Sequence, residues 1–336
     1  MTLDKTGKTK FLRSRQIQAT IVFIAVLAIV PLFALQQPYI LWVFILTMFY
    51  AILALSWNLL LGYTQLLSYA HPGLLAMGGY FSVLLIKSTG LSPIIGLFLS
   101  TALVTFVGFL IGWACLRLKG IYLALTTWGF SGAVQLIMIS EYNVTGGLTG
   151  LTTQFLLPIS SFQAPQYYFY VALMLFTLCA LTTYKLIRSK YGLYLRAIGD
   201  DEEAAATCGV NIVRLRIFIF TLSTVWVGIA GAFYAHLLGY VSPALADFSI
   251  MIMVIAATIM GGLGTFLGPI LGAFVMWPVS EFIRARSAGL AMIVLSILIL
   301  TSLKFFKNGF LGVLSSLYRR VRHEEKRETT SIAENA

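Results

Sequence analysis

Charged residues fall into a few clusters along this chain, and the longest gap between clusters sets the reading: no Asp, Glu, Lys or Arg stands between Arg15 and Lys87. A bilayer-crossing helix needs only ~20 predominantly apolar residues, so that gap has room for three. Apolar runs of this kind predict ten spans, at residues 17–35, 40–61, 65–86, 92–116, 121–140, 167–186, 217–238, 248–260, 265–282 and 289–303. The expectation is an all-α polytopic transmembrane helical bundle (17–303) between a basic N-terminus (1–16) and a basic tail (304–336). The eighth run is short, so residues 248–282 either cross twice or re-enter. Two crossings keep both ends of the chain on one side.

Glycine and proline interrupt the apolar pattern twice. Residues 62–80 read GYTQLLSYAHPGLLAMGGY, and residues 261–273 read GGLGTFLGPILGA. Irregular backbone at membrane depth is tolerated where protein or water satisfies it, as in the broken helices of transporters. Gly62, Pro72, Gly73, Gly261, Gly262, Gly264, Gly268 and Pro269 are therefore candidates to line a translocation path. The alternative is that these glycines let helices pack closely.

Between the two sets of apolar runs lies one long polar interval, residues 185–216. Asp200 and Glu203 have the spacing of a capping box, in which the Asp accepts from the N–H of residue 203 and the Glu reaches back. Asp201, Glu202 and Glu203 crowd the first turn, where the helix dipole favours negative charge. A helix over 201–208 is predicted, ~12 Å long at ~1.5 Å per residue, slim because of Ala204, Ala205 and Ala206, and ended by Gly209. Such a knob fits a groove on another protein. A second polar interval, 141–166, is rich in Gly and Thr and is predicted on the outer side, where it could receive a solute-binding protein.

Composition narrows the class. Hydrophobic residues make up 59% of the chain and charged residues 10%, outside the range of soluble domains. With the N-terminus in the cytoplasm, twenty of the 23 basic residues fall on the inner side, and only Lys87, Arg284 and Arg286 fall outside. This positive-inside bias accounts for the net charge of +11 without nucleic acid. Gly7-Lys8-Thr9 lacks both the earlier glycine and the preceding strand of a phosphate loop, so no nucleotide site is expected. Cys115, Cys179 and Cys208 suggest no disulfide or thiolate metal set. Asn58, Gln65, His71, Gln135 and His236 are read as polar contacts between helices. Every ionisable residue can be placed at a span end or beyond, which argues against proton or ion coupling inside the membrane.

Glu203, Ala204, Ala205 and Gly209 also fit the E-A-A-x-x-x-G spacing of the cytoplasmic loop of ATP-binding-cassette importer permeases. More narrowly, RAIGDDEEAAATCGVNIVRLRIF, followed by Gly228, Ala230, Gly231, Tyr234 and Ala235, resembles the permease family of branched-chain amino acid transporters. There the acidic residue usually stands one place earlier, on Glu202 here. Gly199 stands where that family often has a basic residue, and Gln65 where it often has glycine. The resemblance implies a permease subunit, not an enzyme, in the bacterial cytoplasmic (inner) membrane, surrounded by membrane lipid. Its coupling loop would comprise Asp200, Asp201, Glu202, Glu203, Ala204, Ala205 and Gly209. The implied partners are two ABC ATPase subunits, a second similar permease and a periplasmic or tethered substrate-binding protein. No cofactor is expected on this chain, ATP being used by the partner subunits. An ion-coupled carrier, a membrane scaffold, and a permease for another amino acid, an amide or urea are the alternatives.

Overall fold

The structure, a computed structural model, describes residues 37–115, 118 and 120–287 together with the single positions Leu27, Ala28, Pro31 and Ile297. Apart from those positions, the predicted spans at 17–35 and 289–303, the N-terminus 1–16 and the tail 304–336 lie outside the described residues. The helices are α1 (Pro38–Thr64), α2 (His71–Thr89), α3 (Pro93–Cys115), α4 (Ile121–Ser140), α5 (Tyr142–Thr145), α6 (Pro165–Arg188), α7 (Lys190–Asp200), α8 (Glu202–Thr207), α9 (Ile212–Leu238), α10 (Phe248–Gly261) and α11 (Gly268–Arg284). Five of them, α1, α3, α4, α6 and α9, are long and apolar enough to cross a membrane. Prolines open α1, α2 and α6, where the missing N–H costs nothing. Left-handed glycines close α2 and α9.

Helix α9 is the central post, packed against α1, α2 and α3. Membrane helices gain little from apolar burial alone and associate through close van der Waals contact. Glycine supplies that contact here. A Cβ on Gly78 would come within 2.7 Å of the Gly228 carbonyl oxygen, and one on Gly231 would collide with the Leu75 carbonyl. Polar side chains then tie the same helices. His236 Nε2 lies 2.8 Å from Ser82 Oγ and its Nδ1 2.8 Å from the Gln154 carbonyl. His71 Nε2 lies 3.2 Å from Ser56 Oγ and 3.3 Å from Ser223 Oγ, and the Ser223 hydroxyl donates to the Ser56 carbonyl.

The span expected at 65–86 is not one helix. α1 ends at Thr64, residues 65–70 have no regular structure, and α2 begins at His71 beside Ser56, two helical turns back along α1. The connecting backbone is held by specific donors. Trp57 Nε1 donates to the Ser68 carbonyl at 2.8 Å, and the Tyr69 N–H donates to Thr127 Oγ1 at 2.9 Å. Gln65 makes the turn in the left-handed region, φ 53.

The connections at the far end of α9 carry short elements of their own. Residues 141–166 carry α5 and the two-residue strand β1 (Leu151–Thr152), which pairs antiparallel with β2 (Tyr240–Val241) after α9. Within the stretch 239–247, Pro243, Leu245 and Ala246 are buried while Ala244 and Asp247 are exposed, and Gln135 Nε2 donates to the Pro243 carbonyl. α10 starts at an exposed turn where Asp247 caps it by accepting from the Ser249 N–H, with the Phe248 ring 5.6 Å from Tyr69 and 5.9 Å from Trp128. α10 runs parallel to α1, since Thr258 meets Ala54 and Gly264 meets Gly62. α11 then returns beside it.

Candidate functional site

The polar interval folds into an elbow of two short helices. α6 stops at Arg188, the Ser189 hydroxyl caps α7 by accepting from the Tyr191 N–H, and a Cβ on Gly192 would strike the Ile187 carbonyl. Glycine at 192 is what lets α7 fold back so tightly. Leu195 and Ile198 bury its inner face, and α7 leans on the end of α1.

The cap falls one residue later than expected, and no capping box forms because the residue three positions on is Ala204. Asp200 is the last residue of α7, and Asp201 is the cap: its backbone is extended (φ −156, ψ 111), and its Oδ1 accepts from the N–H groups of Glu203 (2.9 Å) and Ala204 (3.0 Å). Among the described residues the Glu203 carboxylate accepts no bond in return. α8 thus spans Glu202–Thr207, about 9 Å of helix, against the 201–208 read from the sequence. The terminator is as expected. Gly209 sits at φ 83, its N–H donates to Ala206, and the Val210 N–H donates to Ala205, the paired bonds of a Schellman turn.

The two candidate glutamates face opposite ways. Glu203 is exposed, together with Ala204, Ala206 and Thr207. Glu202 instead forms a bidentate pair with Arg216 in the second turn of α9, with both oxygens 3.0 Å from guanidinium nitrogens, and is 31% exposed. Two parallel charge-assisted bonds fix direction as well as distance. Arg216 Nη2 also lies 3.5 Å from the Thr64 carbonyl, the last residue of α1. The adjacent Gln65 side chain donates to the Gly199 carbonyl near the end of α7. Both helices of the elbow are thereby tied to the same end of α1. Gln65 makes the polar contact between helices expected of it; nothing in the sequence points to Arg216, whose partner lies 14 positions away.

The second set of candidates divides. Gly62, Gly261, Gly262, Gly264, Gly268 and Pro269 come together where the α10–α11 hairpin meets α1. The Asn58 carboxamide clamps that turn, accepting from the Gly264 N–H (3.0 Å) and donating to the Thr265 carbonyl (2.8 Å). A Cβ at Gly62 would lie 2.5 Å from the Gly264 nitrogen, and Cβ atoms at Gly261 and Gly268 would overlap facing backbone. Gly264 has φ 70. Neighbouring backbone fills the space beside these glycines. Pro72 and Gly73 stand apart at the start of α2, where Gly73 abuts Ser131 and Phe130 of α4.

Comparison with known proteins adds the lineage. Residues 39–303 match the family described as the permease component of the branched-chain amino acid transport system. The high-affinity branched-chain amino acid transport system permease protein LivM of Escherichia coli is 32% identical over 269 residues, 71% of this chain and 62% of that protein. A probable branched-chain amino acid transport permease protein LivM of Methanocaldococcus jannaschii is 26% identical over 66% of this chain and 75% of its own length. The fructose import permease protein FrcC of Rhizobium meliloti is 38% identical, over 32% of this chain and 31% of its own length. The chain thus spans about three fifths of the length of the E. coli relative. No solved structure matches. A helical, multi-pass membrane bundle bearing a capped acidic-alanine loop, matched from residue 39 to residue 303, belongs to the branched-chain amino acid transport permease family.

Proposed function

We propose that this chain is one permease subunit of an ATP-binding-cassette importer of the bacterial inner membrane, moving amino acids and foremost the branched-chain ones. In this reading it has ten spans with both termini in the cytoplasm, pairs with a second, similar permease, and receives substrate from a binding protein on the outer face near residues 141–166. Two ATPase subunits hold and hydrolyse the ATP; this chain binds no nucleotide and catalyses no reaction.

The observation that carries the reading is the tie of α8 to α1 through Glu202 and Arg216. α8 offers Glu203, Ala204, Ala206 and Thr207 to a groove on an ATPase, while Glu202 anchors it inward. A push on α8 is therefore delivered to the end of α1 through Arg216, and through Gln65 from α7. From there the irregular residues 65–70 lead to the start of α2, so displacement of the α1 end repositions Tyr69, Pro72 and Gly73. We assign the path to this region, with the Gly62–Gly264 contact as its packed base. Asp200 and Asp201 shape the elbow, and Ala205, which is buried, seats α8 on the bundle.

Reconstituting the importer with Glu203→Lys plus Ala206→Trp tests the docking face. Recovery of the ATPase subunits and substrate-stimulated hydrolysis should both fall while membrane insertion persists. Wild-type values for both measurements would remove α8 from the coupling role. Uptake by this chain without any ATPase, driven by an ion gradient, would overturn the importer reading. Binding measurements on the cognate binding protein would identify the substrate.

A further inference from the structure

Two adjoining hollows lie beside the elbow on the flank where α9 meets α3. The first, about 420 Å³, is bordered by Tyr191 and Tyr194 of α7, the turn after α8, and Arg214 and Phe218 of α9. The second, about 370 Å³, is walled by Phe109 and Trp113 of α3 with Ile217 and Phe218 of α9. They share Arg214 and Phe218. The second hollow opens onto an apolar surface: Phe106, Phe109 and Trp113 are 60%, 43% and 58% exposed along α3, an orientation suited to lipid tails. The first lies where α9 emerges into the polar elbow at its cap, Asn211.

Arg214 stands at the junction. Its guanidinium is exposed, and no carboxylate among the described residues pairs with it, whereas Arg216 one half-turn on is occupied by Glu202. A second cation stands at the rim, Lys190 lying over the Tyr191 ring, which in turn leans on Phe218 at 5.5 Å. An apolar slot continuous with the bilayer face, an aromatic collar and two cations at its mouth are complementary to one amphiphile with a negative head. Tryptophan and tyrosine favour the headgroup level, and cations beside a membrane span attract anionic lipids.

We propose that this flank is a binding site for a single anionic phospholipid of the cytoplasmic leaflet. Its phosphate pairs with Arg214 and Lys190, its glycerol region lies against Tyr191 and Tyr194, and an acyl chain runs over Phe218, Trp113 and Phe109. The leaflet assignment rests on the topology proposed above. An occupant would also touch the Cys208–Val210 turn that closes α8, so lipid composition would alter the stiffness of the elbow.

The test uses the whole importer in nanodiscs and native mass spectrometry, with phosphatidylglycerol and phosphatidylcholine of identical acyl chains as probes. Wild type should retain phosphatidylglycerol in preference to phosphatidylcholine. Arg214→Gln should lower that retention about five-fold, the effect of one cation at an anionic surface, while Trp113→Ala should lower retention of both lipids. ATPase recovery and thermal stability, measured on the same samples, should match wild type in Arg214→Gln. Equal retention of the two lipids by wild type, or unchanged retention in Arg214→Gln, would overturn the proposal. Loss of the ATPase from Arg214→Gln with lipid retention intact would assign the flank to protein docking instead. If these outcomes leave uptake ATP-dependent, the lipid site fails without the importer reading.

Discussion

Gln65 is the non-glycine residue with positive φ among the described residues, a conformation that costs an L-residue about 1 kcal/mol or more. A glycine would relieve that cost but lose the bond from the Gln65 amide to Gly199. Gln65→Gly should therefore leave thermal stability near wild type, whereas Gln65→Ala keeps the strain without the bond and should cost about 1 kcal/mol more; thermal unfolding of the two variants separates the terms. Gly199, where the family often has a basic residue, lies with its Cβ direction 3.0 Å from the Tyr63 carbonyl. The two departures from the family pattern thus touch each other. At the neighbouring tie, Arg216→Ala removes the guanidinium that meets both carboxylate oxygens of Glu202. The expected loss is about 2 kcal/mol, below the ~3–5 kcal/mol of a fully buried pair because a third of Glu202 reaches solvent. Exchanging the pair, Glu202→Arg with Arg216→Glu, should recover part of that stability and of transport-coupled hydrolysis. A double exchange no better than its single variants would show that the pair does not carry the coupling.

Helices were legible where apolar length alone decides them, as at α1, α4 and α9, and the Gly209 stop followed from the need for a left-handed residue. The cap was misplaced by one position because Asp200, Asp201, Glu202 and Glu203 offer overlapping cap spacings; the choice fell to how far α7 extends, which Gly192 and its packing on α1 determine. The start of α2 was hidden for a different reason. Residues 65–70 are apolar enough to read as helix, and two of the bonds that hold them open, from Trp57 to the Ser68 carbonyl and from the Tyr69 N–H to Thr127, reach side chains outside the stretch. Contact between glycine faces gives the element scale its own test. Gly78→Val drives a side chain into the Gly228 backbone, and overpacking of this kind costs about 1–3 kcal/mol, so less folded protein should be recovered from the membrane. Gly264→Leu should act in the same way, because φ 70 and the Gly62 carbonyl at 2.8 Å leave no room for a Cβ. Folded Gly264→Leu protein that fails only in uptake would instead favour a lining role for this turn.

For the molecule as a whole, sidedness can be read from a native reporter. Cys208, at the end of α8, is exposed, while Cys179 is buried and Cys115 half-buried. An impermeant maleimide should label Cys208 in inside-out vesicles and not in intact cells, and bound ATPase should protect it; labelling from outside would reverse the proposed topology. The place where α2 begins also bears on how the chain is made. His71 rests on Ser56, already present in the preceding helix, and on Ser223, which arrives 152 residues later. At ~5–20 residues per second, translation leaves the imidazole and the irregular stretch before it without that support for about 8–30 s. The start of α2 therefore takes its full set of contacts late in synthesis, once α9 has been made.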